Sequence, residues 1–208
     1  QPDSGQIILD GIDVTALPEH KRAKYLGRVY QDPMTGTAAG MQIEENLALA
    51  ARRGKRRTLR PMITKTERED YKNLLAELGL GLESRLSAKV GTLSGGQRQA
   101  LTLLMATLQS PKLLLLDEHT AALDPKTAAR VMELTEKIVT ETKLTTLMIT
   151  HNMRDAIHYG NRLIMLHEGR VILDISGEEK EKLTVAELLE MFSKASGNEF
   201  ADDRAILA

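Results

Sequence analysis

The chain has 208 residues, 28 Lys plus Arg against 29 Asp plus Glu, a formal net charge of −1 and no cysteine. That length suits one domain, or one domain carrying a small inserted subdomain, with a substantial core. The near-neutral balance excludes a global electrostatic footprint for nucleic acid or an anionic membrane surface, and the lack of cysteine excludes a disulfide framework or a thiolate metal site.

At the start, Asp10 and Gly11 stand between short apolar runs and predict a hairpin over 5–14. A short helix follows over 19–25, then a strand over 27–31 that ends in Gln31. Between Met41 and Leu82 the texture turns helical, with Ile43, Leu47 and Ala50 on one face and Leu74, Leu75 and Leu78 on another, which suggests a helical insert. Leu101, Leu104, Met105 and Leu108 recur at i, i+3, i+4, i+7 and predict a helix with one buried face, ended by Pro111. The four leucines 113–116 predict a strand covered on both faces in a parallel sheet. Asp124 and Pro125 form an N-cap and first-turn pair for a helix that turns Val131, Leu134 and Ile138 inward. A second buried strand is expected over 145–149, a hairpin over 163–173, and a last helix opened by a Thr184–Glu187 capping box. Strands alternating with helices predict an α/β fold with a mainly parallel sheet. The longest strongly apolar stretches, 113–116 and 144–149, are far shorter than the ~20 residues a bilayer-spanning helix needs.

Two short runs carry chemistry. Asp117 and Glu118 follow the four leucines, so both carboxylates leave a buried strand at its C-terminal edge, where open α/β sheets bind ligands. Leu93, Ser94, Gly95, Gly96 and Gln97 precede a helix; the glycines permit close backbone approach, and the exposed N–H groups with the helix dipole suit an anion. Taken alone, the first run is equally a strand with a polar turn, and the second a helix cap. A lone His151 after a strand, or a lone Gln31 at a strand end, would ordinarily be structural. The basic run Arg52, Arg53, Lys55, Arg56, Arg57 and Arg60 reads as a solvated connection rather than a lipid or nucleic-acid face.

The order of these runs changes their weight. Gln31, the Ser94 loop, Asp117 with Glu118 after 23 further residues, Ala121 to Asp124, and His151 together resemble the Q-loop, signature, Walker B, D-loop and switch histidine of ABC-type ATPases. The resemblance runs from Gln1 to the last hairpin. It implies a P-loop NTPase core with an inserted helical subdomain: core over 1–33, helical subdomain over 34–110, core again over 111–183, and a C-terminal helix and tail over 184–208. Between Gln31 and Ser94 lie too few residues for a long coiled-coil insertion. By the same resemblance ATP and Mg²⁺ are the cofactors, Asp117 faces the metal, Gln31 contacts the metal or the attacking water, Glu118 takes a proton from that water, and His151 contacts the γ-phosphate and positions the water and Glu118. Ser94, Gly95, Gly96 and Gln97 then contact ATP held on a second subunit, and Asp124 lies at that dimer interface.

The implied activity is ATP hydrolysis that drives a separate membrane permease. The expected partners are a second copy, transmembrane permease subunits and an extracytoplasmic solute-binding protein, with no nucleic acid; the expected place is the cytoplasmic face of the membrane. The alternatives are a non-transport ABC ATPase and a regulatory subunit that does not hydrolyse ATP alone. Two departures stand out. His119 replaces the proline usual after the two carboxylates, and no G-x-x-x-x-G-K-[ST] phosphate loop occurs in the 208 residues. The sequence is therefore read as N-terminally truncated, with Gln1 a cut end, no targeting leader, and little activity expected of these residues alone. The segment 193–208 matches nothing in the resemblance.

Overall fold

The computed structural model describes residues 2–55 and 63–196. The chain divides into two compact units, residues 1–149 and 150–208.

The first unit opens with the expected hairpin, strand β1 (Ile8–Leu9) paired antiparallel with β2 (Ile12–Asp13). Asp10 and Gly11 both have positive φ, +50° and +75°, the backbone a two-residue primed turn demands. Helix α1 (Glu19–Arg22) is shorter than predicted, and strand β3 (Leu26–Val29) ends early, so Gln31 lies in a bend two residues past it. Strands β3, β4 (Leu113–Asp117) and β5 (Thr146–Ile149) form a parallel sheet in that order. Its register sets Val29 opposite Leu116 and Asp117 opposite Ile149.

Among the described residues, three α-helices make the insert and its junction with the sheet: α2 (Ile43–Ala51), α3 (Lys65–Glu77) and α4 (Gly95–Thr107). Ile43, Leu47, Leu75 and Leu101 are fully buried in a helical core, while Val29, Leu103, Leu114 and Leu116 form a second core under the sheet. Helix α4 serves both, with Leu101 and Leu104 toward the first and Leu103 and Ala106 toward the second. The prediction of one buried face fails here because a helix between two layers needs two apolar sides. The helix also stops at Thr107, before Pro111, and Ser110 turns the chain with a φ of +44°.

The sheet is less covered than its leucines suggest. In β4, Leu114 and Leu116 are buried but Leu113 and Leu115 only partly so. In β5, predicted as buried, Leu147 is 50% and Ile149 53% exposed. That strand is outermost in the three-strand order, so only its β4 side is paired among the described residues. Helix α5 (Pro125–Thr142) follows β4 and buries Val131 and Met132, with Leu134 and Ile138 partly covered.

Polar anchors fix the insert. Glu44, 2% exposed, receives two hydrogen bonds from Arg68 at 2.7 and 2.6 Å. Of the basic run, Arg52 pairs with Glu67 at 3.0 Å and Arg53 donates to the Ala106 carbonyl at 3.1 Å. These two act as braces, more structural than a solvated connection; Arg56, Arg57 and Arg60 lie outside the described residues.

The second unit holds helix α6 (Met153–His158), capped by the Asn152 side chain, and an antiparallel hairpin of β6 (Arg162–His167) and β7 (Arg170–Ser176). Helices α7 (Glu178–Glu181) and α8 (Val185–Ser196) complete it, with Leu163, Ile175 and Leu188 buried. The Thr184–Glu187 capping box forms as predicted. Of the C-terminal segment, 197–208 lies outside the described residues.

Candidate functional site

Strand order places the carboxylates. Strand β4 lies between β3 and β5, all three parallel, so Asp117 at its end and Gln31 just past β3 emerge on the same C-terminal edge. Asp117 is not idle there: its Oδ2 accepts from Arg28 Nη2 at 2.9 Å, and the Arg28 guanidinium lies 4.4 Å from the Tyr30 ring. The Asp117 contact is not legible in the sequence, because Arg28 reaches across 89 residues from a neighbouring strand. The other Asp117 oxygen has no protein donor among the described residues.

Glu118 leaves the strand with a φ of +45°, in the left-handed region that costs a non-glycine residue of order 1 kcal/mol. Its N–H donates to the Ile149 carbonyl and its own carbonyl accepts from Ala121 N–H, each at 3.0 Å. Next to it His119 is 2% exposed, with Nε2 3.1 Å from Thr135 Oγ1. Burial pushes the His119 pKa down from 6.5 to about 4, so the ring is neutral at pH 7.

The Ser94 loop is a capping box. Ser94 Oγ accepts from Gln97 N–H at 3.3 Å, and Gln97 Oε1 accepts from Ser94 N–H at 3.2 Å. The first turn of α4 lies against that of α5: a Cβ on Gly96 would sit 2.1 Å from Thr127 Cγ2, so any larger residue would force the Thr127 side chain to move. Ser94 and Gly95 remain exposed, and a cleft of about 520 Å³ beside them is lined by Gln97, Leu78, Lys126 and Arg130. Asp124, also exposed, caps α5 by accepting from Thr127 N–H at 3.1 Å, and hydrogen bonds from Thr127 hold its carboxyl below the usual range. The structure therefore brings the signature-like loop and the Asp124 turn together through Gly96 and Thr127.

Gln31 is exposed, and the carbonyl of its neighbour Tyr30 accepts from the fully buried Gln99 Nε2 at 3.0 Å. Gln99 thus fastens the bend to α4; nothing in a one-sided helical pattern singled it out. His151 belongs to the second unit, exposed and one residue before the Asn152 cap of α6.

With this geometry in view, the sequence profile of the family described as "ABC transporter" matches residues 1–121. The chain belongs to that family. It is 53% identical over 192 residues to the tyrosine transport ATP-binding protein of Clostridioides difficile strain R20291, covering 92% of this chain and 76% of that one. It is 34% identical over 175 residues to the methionine import ATP-binding protein MetN of Corynebacterium jeikeium strain K411, covering 83% of this chain and 45% of that one. Among solved structures, the ATP-binding cassette MJ0796, dimeric in a post-hydrolysis state with ADP and Pi, superposes with a TM-score of 0.69 at 27% identity, covering 85% of this chain and 75% of that one. The chain is thus an ABC transporter ATP-binding domain, α/β in fold, of the class that hydrolyses ATP in transport.

The donor set fits a hard cation held largely by its substrate. Among the described residues no three His, Asp or Glu side chains cluster as a metal cage. Asp117 and Gln31 offer oxygen donors at one sheet edge, the ligand type Mg²⁺ takes when phosphates and water complete its shell.

Proposed function

We propose that this ABC transporter subunit hydrolyses ATP to drive import of a small solute, of the amino-acid class named for its relatives, through a separate permease. The observation that carries the reading is the pair Asp117–Glu118 at the C-terminal edge of a central parallel strand, within the matched region. Two copies bind ATP between them, and residues 34–110 form the helical subdomain that passes closure to the permease. The core comprises 1–33 and 111–183, followed by the helix and tail over 184–208. A solute-binding protein outside the membrane delivers the cargo, and the subunit sits on the cytoplasmic face. Among the described residues no helix is long and apolar enough to cross a membrane, in keeping with a separate permease.

Each residue has a role in the closed pair. Glu118 accepts a proton from the attacking water as its oxygen bonds to the γ-phosphorus, and the phosphoryl–ADP bond breaks with the electron pair leaving on ADP. Asp117 and Gln31 would hold Mg²⁺, which would supply charge neutralisation on the phosphates. Ser94, Gly95, Gly96 and Gln97 aim hydrogen-bond donors at the γ-phosphate of the nucleotide on the other copy, where the α4 dipole favours negative charge. By the family resemblance His151 serves the γ-phosphate of the nucleotide on its own copy, and Asp124 lies on the interface. Positioning and electrostatics account for most of the acceleration in such transfers.

Glu118→Gln in the intact protein tests this. It should bind ATP, accumulate as a stable dimer on a sizing column, and lose turnover by about a hundredfold or more. Wild-type turnover in that variant removes Glu118 from its role.

A further inference from the structure

The residue after Glu118 is buried, polar and unused by the chemistry above. His119 is 2% exposed, and Thr135, its partner, is 5% exposed. The hydrogen-bond pattern fixes which way the proton lies between them. Thr135 has one hydroxyl proton and donates it to the Val131 carbonyl one turn back, at 2.8 Å. Its oxygen is left to accept, so the atom 3.1 Å away, His119 Nε2, carries the imidazole proton.

This bond joins two pieces of chain that the reaction needs to keep in register. On one side is Glu118, held in the left-handed region at φ +45° by the Ile149 carbonyl and the Ala121 N–H. On the other is the third turn of α5, the helix whose first turn begins at Asp124 and packs against Gly96 of the Ser94 loop. A left-handed non-glycine residue relaxes unless its surroundings hold it, and here the next side chain is plugged into the core beside it.

Resting on the reading of Glu118 as the base, we propose that His119 is a positioning residue: through Thr135 it locks the Glu118 backbone to α5, so that the carboxylate stays aimed when the subunits close. Binding of ATP does not depend on that lock, because the phosphates meet other groups. Losing it lets the Glu118 carboxylate drift, and small misplacements of a reacting group carry large rate penalties.

The test is steady-state ATP hydrolysis by the intact protein. His119→Ala should lower kcat about tenfold while KM for ATP stays within about twofold. Thr135→Val, smaller in its steric change, should do the same, and the double variant should be no worse than either single one. His119→Gln, whose amide N–H can still reach Thr135, should recover most of kcat. Thr142→Val removes the same kind of back-bond on α5, Thr142 Oγ1 to Ile138 carbonyl, and should leave kcat unchanged. The proposal is overturned if Thr135→Val lowers only the melting temperature with kcat intact, if the loss appears in KM, or if the two single effects multiply. Glu118→Gln run alongside separates the two readings: wild-type turnover there sinks the catalytic assignment itself, whereas a dead Glu118→Gln beside fully active His119 and Thr135 variants sinks only the lock.

Discussion

The helical part of the first unit and the sheet beside it both carry large apolar side chains yet bury them to different degrees. Ile43, Leu47, Leu75, Leu82 and Leu101 have no exposure, and the one carboxylate among them, Glu44, is answered by Arg68. In β5, by contrast, Leu147 and Ile149 keep about half their surface in water. Apolar residues stabilise only through the area they lose to neighbours, roughly 25 cal/mol per Å², so equal hydrophobicity does not mean equal contribution. The helical core stands by mutual packing, whereas the sheet's outer strand contributes mainly through its ladder to β4.

Truncation gives the widest contrast. Leu101→Ala, at a fully buried site, should cost about 2–5 kcal/mol in urea unfolding. Leu147→Ala on the outer strand should cost under about 1.5 kcal/mol, since half its surface is already wet. Equal losses would break the comparison. Acid should single out the sheet side. His119 has a folded pKa depressed to about 4 against 6.5 unfolded, so the unfolded chain binds the extra proton first. Its contribution is complete above pH 6.5 and drains away as pH falls toward 4, by up to about 3 kcal/mol. His119→Gln should flatten that part of a stability-against-pH curve, and an unchanged curve would remove His119 as its source.

On the helical side, Arg68→Ala leaves the Glu44 carboxylate buried without its partner and should cost about 1–3 kcal/mol. Adding Glu44→Gln should return part of that loss in a double-mutant cycle; simple addition of the two costs would deny the coupling. The smallest effect falls at the junction of the two regions. Ser94→Ala removes the acceptor for Gln97 N–H and should lower the melting free energy by about 1 kcal/mol.

Much of this was open to inspection in the residues. The Asp10–Gly11 turn, the Ser94, Asp124 and Thr184 caps, and the strand carrying Asp117 all follow from local rules, because a cap or turn is decided within four residues. The order of the motifs along the chain carries the family resemblance. What stayed hidden were contacts between distant stretches: Arg28 on Asp117, Gln99 on the Tyr30 carbonyl, Thr135 under His119, and Thr127 against Gly96. The errors share that origin. The four-leucine run predicts a strand covered on both faces, 145–149 a buried strand and α4 a single buried face, since periodicity reports which residues seek burial but not how many layers exist to bury them.

The sequence by itself determined most of the element order, though not the short helices α6 and α7, together with the helix and turn starts that carry their own caps and the family whose motifs it carries. Only the tertiary structure decided that Glu118 leaves β4 in a left-handed conformation, that Asp117 shares its carboxylate with Arg28, and that His119 is a neutral buried donor. The division has a physical cause: propensities and caps act over a few bonds along the chain, while desolvation and hydrogen-bond partnership depend on which remote segments crowd the same few ångströms of space.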